Sequence, residues 1–266
     1  MKIEVKATKK KTTQSVMKKK KQPRKKNGIV RRIVFSIFLI FFLIGAIILV
    51  LLSDLFNIKQ IKILNNSKLS EEQIIKDSTL EIGNNMFKTL TSDIKKGIKS
   101  NPYIDNVKIK KKLNGDVVID VKERTTTFML KGENSYTYIN NQGYILENSE
   151  EVLEVPIIIG FETQDLTPGN RIDKQDLKKL DQVIQIMESA KSQGINQKIY
   201  SIDISDASNY ILEIPTEAKT VQFGDSTNIN VKMLWIIDLM EREKGVAGDI
   251  VLNVSNIKKV FFREKV

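Results

Sequence analysis

The sequence predicts an α+β protein in which a single transmembrane helix precedes two folded units. A run of twenty residues near the N-terminus, apolar apart from one serine, predicts the helix. The next segment has strand and helix patterns in the order β-α-α-β-β, and the remainder interleaves short strands with two longer helices, as in a mixed α/β sheet. We therefore expect a basic tail at 1–32, a transmembrane helix at 33–52, a first external domain at 55–125 and a second at 126–266.

The apolar run from Ile33 to Leu52 contains one polar residue, Ser36. At about 1.5 Å per residue, the run spans about 30 Å, the thickness of the hydrocarbon core of a bilayer. A cleaved signal peptide is the main alternative, but its apolar region is usually about 7–15 residues long and ends in small residues. The sequence Leu51-Leu52-Ser53-Asp54 offers no such cleavage site, so the run predicts an uncleaved anchor.

The positive charge of the chain is concentrated at its N-terminus. The first 32 residues hold fourteen Lys or Arg and one acid, Glu4, a net charge of +13. Since the whole chain carries +11, the other 234 residues carry −2. This distribution favours a disordered basic tail that stays in the cytoplasm beside an anionic leaflet, with the rest of the chain outside. Binding of nucleic acid by the tail is the weaker alternative, and we expect no nucleic-acid partner.

The chain contains neither cysteine nor histidine. Disulfides, Ser–His or Cys–His nucleophile pairs and zinc sites of the usual His/Cys type are therefore excluded. Catalysis would have to use residues such as Asp203 with Asp206, or Glu241 with Glu243, and nothing in the pattern pairs them convincingly. We expect surface carboxylates there, and no catalytic site, metal, cofactor or small-molecule substrate.

The first external domain is predicted from local signals. Phe56–Leu64 has the alternation of a strand, and Ser70-Glu71-Glu72-Gln73 is a capping box that opens a short helix. A second helix is expected from about Ser92 to Ser100, before Pro102, with Leu90, Ile94 and Ile98 on its inner face. The alternating segments around Asn114-Gly115 predict a two-residue hairpin, because both positions tolerate positive φ.

The second external domain is predicted to hold two amphipathic helices among short strands. The helices start at about Asp173 and Asn228 and stop before Gly194 and Gly245. Trp235, the lone tryptophan, is expected to flank the core rather than to anchor a partner. The predicted strands are 126–130, 136–139, 144–146, 155–160, 199–204, 210–214, 220–223, 250–254 and 260–262.

Several segments in this order resemble the FtsQ/DivIB family of bacterial cell-division proteins, which pairs a POTRA domain with a β-domain. In the first domain they are Phe56–Ile63, Asn101-Pro102-Tyr103-Ile104 and Ile119–Arg124; in the second, Asn141–Leu146, Val155–Gly160, Val221–Gly224, Lys232-Met233-Leu234 and Gly248–Val254. This chain departs from the family at Thr125-Thr126-Thr127, where proline is frequent, and at the Asn114-Gly115 turn.

The resemblance implies a non-enzymatic division scaffold that joins FtsB/DivIC-like and FtsL-like membrane proteins at the septum and regulates peptidoglycan synthesis. It also implies that a partner strand adds to the exposed edge of the late β-domain strands. Of the adjacent Phe261 and Phe262, one would pack and the other would await a partner, unless a bulge places both in the core. The alternatives are a wall-acting enzyme or a secretion component. The partner-binding candidates are Ile250, Val251, Leu252, Asn253, Val254, Phe261 and Phe262.

Overall fold

The computed structural model describes residues 27–252 and 260–265, in two compact units that divide between Leu51 and Leu52. The first unit is helix α1, Asn27–Leu51, whose side chains are apolar and exposed on every face from Ile33 onward apart from Ser36. It is long and apolar enough to cross a membrane. The helix begins six residues before the predicted Ile33, so its first turns, which include Arg31 and Arg32, extend beyond the apolar run.

The second unit begins with a three-stranded sheet covered by two helices. The β-α-α-β-β order is confirmed, with strand order β1-β3-β2, β1 parallel to β3 and β2 antiparallel to β3. Ile74 and Ile98 from the helices, and Val117 and Ile119 from the central strand, are fully buried between the layers. The elements are β1 Gln60–Leu64, α2 Glu71–Ser78, α3 Thr91–Lys99, β2 Ile104–Lys111 and β3 Asp116–Glu123.

Two local predictions for this sheet need correction. Leu90 does not face inward: it is the N-cap of α3 and is 63% exposed, since the helix begins only at Thr91. The turn at Asn114-Gly115 is not a two-residue turn, because only Gly115 has positive φ, at +98°. Gly115 instead donates to the Lys112 carbonyl at 3.0 Å, in a longer turn with a glycine bulge. By contrast, the Ser70 cap is confirmed: its hydroxyl accepts from the Gln73 amide at 3.2 Å.

As far as the structure describes it, the rest of the unit is a mixed nine-stranded sheet with the order β12-β11-β10-β9-β8-β7-β4-β5-β6. The pairs β4–β7, β7–β8 and β10–β11 are parallel and the others antiparallel. Its elements are β4 Phe128–Lys131, β5 Tyr136–Ile139, β6 Ile145–Ser149, β7 Ile157–Ile159, α4 Lys174–Ser192, β8 Ser201–Asp203, β9 Tyr210–Ile214, β10 Lys219–Gly224, α5 Ile229–Arg242, β11 Gly248–Leu252 and β12 Val260–Glu264.

Helices α4 and α5 cover one face of this sheet and enclose the larger core. Val183, Leu212, Phe223 and Ile236 are buried there, and Trp235 lies half-buried against them, as predicted. A smaller apolar cluster, which includes Met129, Tyr138 and Ile157, occupies the opposite face near β4–β7. The large core therefore fixes which side chains of β10–β12 point toward the helices and which point away.

The two sheets meet at Tyr103, Arg124, Tyr144 and Glu147, which we call the joint. The Tyr103 hydroxyl donates to the Glu147 carboxylate at 2.7 Å. Nη1 of Arg124 donates to the carbonyls of Pro102 at 2.8 Å and Ile104 at 2.5 Å. The guanidinium also lies over the Tyr144 ring, 4.2 Å from its centre. Burial, together with the Glu147 hydrogen bond, raises the pKa of Tyr103 above its ordinary value, so its hydroxyl remains a donor.

Candidate protein-interaction edge

Strand β12 forms one end of the nine-stranded sheet. It pairs with β11 through five residues without a register shift, and no strand among the described residues lies on its outer side. β11 has β10 on one side and β12 on the other, so Ile250, Val251 and Leu252 lie in an inner strand instead of at a free edge. Ile250 is fully buried. Asn253 and Val254 lie outside the described residues.

Two backbone hydrogen bonds determine which groups of β12 face outward. The Lys265 amide donates to the Ala247 carbonyl at 2.9 Å, so the hydrogen-bonded pairs of this antiparallel ladder include Arg263 and Phe261. Consistently, the Gly248 amide points the other way and donates to Ala218 at 3.0 Å. The backbone groups of Val260, Phe262 and Glu264 therefore point away from β11. Together they form the free edge of β12.

Phe261 and Phe262 lie on opposite faces of β12. Phe262 packs against the large core under α4 and α5, whereas Phe261 faces the uncovered side and is 51% exposed. The regular register of β11 and β12 excludes a bulge that would turn both rings inward. Of the two alternatives that the sequence allowed, the structure thus supports one packed and one exposed phenylalanine. A partner strand on the free edge of β12 would find the Phe261 ring beside it.

The edge strand is supported by Lys219, which the sequence analysis did not single out. This side chain is 2% exposed, and its ammonium donates to the carbonyls of Glu217 at 3.2 Å, Glu243 at 3.0 Å and Val246. It also lies 5.2 Å from the centre of the Phe262 ring. Lys219 therefore ties the segment that follows α5 to β10, the strand that pairs with the inner side of β11. The sequence did contain a signal for the burial of Lys219, because this residue shares a strand face with Val221 and Phe223.

Charges of both signs line the uncovered face beside Phe261. Lys265 forms an ion pair with Asp249 at 3.0 Å and donates to the Thr220 hydroxyl at 3.0 Å. Arg263 is exposed on the same side of β12 as Phe261. The combination of an exposed aromatic ring, flanking cations and free backbone groups is that of a surface that binds an extended peptide.

Asp203 and Asp206, which the sequence analysis considered as a catalytic pair, accept hydrogen bonds within their own turns. Asp203 accepts from the Ser205 amide at 2.8 Å, and Asp206 accepts from the Ser208 amide and hydroxyl at 2.8 and 2.7 Å. The hydrogen bonds from Ser208 lower the pKa of Asp206. In both turns the aspartate accepts from the amide two residues later, which is typical of aspartate in turns. Glu241 is exposed. The backbone carbonyl of Glu243 accepts a hydrogen bond from the Lys219 ammonium.

Comparison with known proteins identifies the family. The family described as "POTRA domain, FtsQ-type" matches residues 56–124, within the predicted 55–125. The cell division protein DivIB of Clostridium botulinum strain Hall is 31% identical over 220 residues, 80% of this chain and 84% of that protein. The chain belongs to the DivIB/FtsQ family of bacterial cell division proteins.

Other DivIB proteins align with this chain. DivIB of Clostridium tetani is 25% identical over 195 residues, 73% of each chain. The solved extracytoplasmic domain of DivIB from Geobacillus stearothermophilus aligns with 46% of this chain and 97% of its own, at 11% identity and a TM-score of 0.28, too low to support a common fold by itself. As a DivIB/FtsQ protein, the chain combines an apolar N-terminal helix, a POTRA domain and a mixed sheet.

Proposed function

We propose that this DivIB/FtsQ protein is a non-enzymatic scaffold of the division machinery. The tail at 1–32 lies in the cytoplasm, α1 crosses the membrane, and the domains at 55–125 and 126–266 lie outside. There the protein binds FtsB/DivIC-like and FtsL-like membrane proteins at the septum and helps to regulate peptidoglycan synthesis. Family membership supports the division role, and the basic flank of α1 supports the orientation.

The partner adds a strand to the free edge of β12. The observation that carries this proposal is the outward direction of the Phe262 and Glu264 backbone groups, which the Lys265–Ala247 hydrogen bond establishes. Backbone hydrogen bonds give such a complex its affinity, and side-chain contacts, here with Phe261, give its specificity. Ile250, Val251 and Leu252 act indirectly, because the backbone of β11 pairs with β12 and holds it in place.

Family membership favours this division role over a wall-acting enzyme or a secretion component. The enzyme alternative has its own test: incubation of the full-length protein with purified peptidoglycan. We expect no soluble fragments beyond those in a protein-free sample. Release of fragments that scales with protein concentration would contradict the non-enzymatic role.

The edge is tested with Glu264→Pro, with Glu264→Ala as the matched control. The Glu264 amide points outward, so proline removes no hydrogen bond to β11, and proline is tolerated at such edge positions. The ring does remove a donor for a partner strand and obstructs its approach. With purified full-length FtsB/DivIC-like and FtsL-like proteins of the same organism, we expect Glu264→Pro to weaken binding by about tenfold or more.

The control should bind like the native protein, since alanine keeps the amide. Both variants should retain the native circular dichroism spectrum and melting temperature. If folded Glu264→Pro binds as tightly as Glu264→Ala, strand addition at this edge is wrong. The division role is checked separately by an N-terminal fluorescent fusion, which we expect to form a band at mid-cell before constriction. An even outline of normally dividing cells with a functional fusion would contradict that role.

A further inference from the structure

Among the described residues of the second unit, the four most exposed large apolar side chains lie in loops of its first sheet. Leu55 is 73% exposed, Ile82 69%, Leu90 63% and Leu113 70%. Every other large apolar side chain within described residues 52–252 and 260–265 is at most 54% exposed. Single exposed leucines are common on protein surfaces. Four highly exposed apolar side chains at the same end of a sheet instead indicate a surface that contacts an apolar partner.

The topology places these four residues at one end of the three-stranded sheet. β1 and β3 are parallel and in register from Gln60 with Asp116, so both begin at the same end. The hairpin turn before β3 carries Leu113, and the segment that enters β1 carries Leu55. α3 begins at this end as well, because it must run to the opposite end before β2 returns antiparallel to β3. Leu90 caps its start.

Hydrogen bonds tie the three loops into one surface. The Met86 amide donates to Phe56 at 3.0 Å, and Gly83 donates to the Ile58 carbonyl at 2.8 Å, which holds the loop of Ile82 against the entry segment. The Lys59 amide donates to Gly115 at 2.9 Å, which holds the hairpin turn beside it. Nζ of Lys111 donates to the carbonyls of Met86 and Thr89, both at 2.6 Å. We call Leu55, Ile82, Leu90 and Leu113 the entry-end patch.

The covalent chain limits what can face this patch. α1 ends at Leu51, so Leu55 lies within four residues, at most about 14 Å of extended chain, of the last residue of an apolar helix. If α1 crosses the membrane, the bilayer surface is within reach of the entry end. Lys59, Lys88 and Lys112 are exposed in the same loops, beside the acids Asp54 and Glu81. Apolar side chains with adjacent lysines are typical of protein surfaces that rest in the headgroup region.

We propose that the entry-end patch docks on the outer leaflet of the bilayer, with its apolar side chains in the headgroup–acyl boundary. The occupant is lipid and not a protein partner, because the tether to α1 keeps the patch at the membrane. This inference rests on the proposed membrane crossing of α1 and is independent of binding at the free edge of β12. Docking of the patch fixes the height and tilt of the first sheet above the membrane.

The absence of native cysteine allows a direct test. Single-cysteine variants Leu113→Cys and Ile82→Cys of the full-length protein carry an environment-sensitive dye in phosphatidylcholine–phosphatidylglycerol vesicles that contain a lipid-borne quencher. Leu234→Cys is the matched control, since Leu234 is an exposed leucine, at 54%, on α5 outside the patch. We expect blue-shifted, quenched emission at positions 113 and 82, and aqueous emission without quenching at 234.

A second variant separates lipid docking from a local effect of the dye. Introducing Leu55→Asp with Leu90→Asp should abolish the quenching at position 113, whereas Leu234→Asp should leave it unchanged. Vesicle flotation is measured for every sample. If the protein floats with the vesicles but the dye at 113 is as aqueous as the dye at 234, docking is wrong while the membrane anchor stands. If the protein does not float, the membrane crossing of α1 is wrong and the inference falls with it.

Discussion

A buried lysine, Lys232, shows how single residues stabilise the second sheet. It is 1% exposed on α5, and its ammonium contacts the Asp225 carboxylate at 3.0 Å, the Asp225 carbonyl at 2.8 Å and the Phe223 ring. The pKa of Asp225 falls to about 2. Burial alone would raise this pKa, but hydrogen bonds from Thr227 and Lys232 outweigh that effect. The pair thus locks the start of α5 to the end of β10.

This pKa shift predicts a pH-dependent contribution to stability. Because the pKa of Asp225 is lower in the folded state than in the unfolded state, its stabilisation is present above about pH 4 and is lost as the pH falls through about 2. Asp225→Asn should lower the free energy of unfolding near neutral pH by about 1–3 kcal/mol, since the buried ammonium loses an ionic partner. Urea unfolding between about pH 5 and pH 2 measures both effects.

The control for this prediction is Asp181→Asn, which removes the same charge from an exposed position on α4. The unfolding free energy of Asp225→Asn should depend less on pH across this window than that of the native protein or the control. Equal pH dependence in all three proteins would contradict the role assigned to Asp225.

The buried lysines carry a signal in the sequence that charge alone conceals. Lys232 lies three residues after Ile229 and four before Ile236, on the inner stripe of α5, and Lys219 alternates in phase with Val221. Periodicity therefore places both side chains inward. What the sequence could not supply is their partners, since the carbonyls of Glu243 and Val246 reach Lys219 only through the tertiary fold.

At the scale of elements, Gly248 determines how closely β12 packs on β11. Its backbone φ does not require glycine, but a Cβ there would lie 2.4 Å from the Phe262 ring and 2.5 Å from the Arg263 carbonyl oxygen. Because the second contact is backbone, rotation of the phenylalanine alone cannot relieve it. The absence of a side chain at 248 thus allows both the packed position of Phe262 and the ladder that orients the free edge of β12.

Gly248→Ala should therefore loosen the edge strand. We expect a loss of about 1–3 kcal/mol in the free energy of unfolding and faster hydrogen exchange at the Phe261 and Arg263 amides, which point toward β11. Partner binding should weaken in parallel. Val251→Ala is the control, because Val251 lies on the uncovered face of the same strand. If hydrogen exchange in β12 is the same in Gly248→Ala as in the native protein, the absence of a side chain at 248 does not determine how closely β12 packs on β11.

Local patterns predicted most elements but not the order of strands in the sheet. The Ser70 cap, the β-α-α-β-β order and the strand at Tyr136–Ile139 follow from neighbours in sequence. Ile250–Leu252 also reads as a strand, but whether a strand lies inside a sheet or at its edge depends on pairing with distant segments. β11 pairs on one side with β10, which precedes it in the chain before helix α5, and on the other side with β12, which follows it. No local pattern in the sequence distinguishes an inner strand such as β11 from an edge strand such as β12.

At the scale of the whole molecule, the joint connects the first sheet to the sheet with the free edge of β12. Arg124 is central to the joint: it binds two carbonyls that flank the start of β2 and stacks over Tyr144 of the second sheet. The resemblance to the family singled out Asn101–Ile104 and the Glu123-Arg124 pair without a role for either. Their positions indicate that both segments hold the two sheets together, so that the free edge of β12 keeps a set orientation relative to the first sheet.

Arg124→Ala should let the two sheets move against each other. The substitution removes the cation–π contact with Tyr144 across the joint, a loss of about 0.5–2 kcal/mol, and the two hydrogen bonds to carbonyls of the first sheet that hold the guanidinium in place. Spin labels on cysteines at the exposed positions Lys96 of α3 and Lys178 of α4 report the distance between the layers. We expect a broader distance distribution for Arg124→Ala in the full-length protein. Arg124→Lys should restore it only partly, because an ammonium cannot reproduce the planar stacking of guanidinium on Tyr144.

Lys122→Ala is the matched control, since it removes a cation two residues away whose partner, Asp105, lies within the first sheet at 2.8 Å. The Lys122 side chain is 75% exposed and its ion pair contributes little, so the distance distribution of Lys122→Ala should match that of the native protein. If Arg124→Ala and Lys122→Ala give the same narrow distribution, the joint is held by apolar contacts such as Tyr103 with Leu146 and Ile157 in the smaller cluster. Partner binding at β12 should survive in either case, because the free edge of β12 is built entirely within the second sheet.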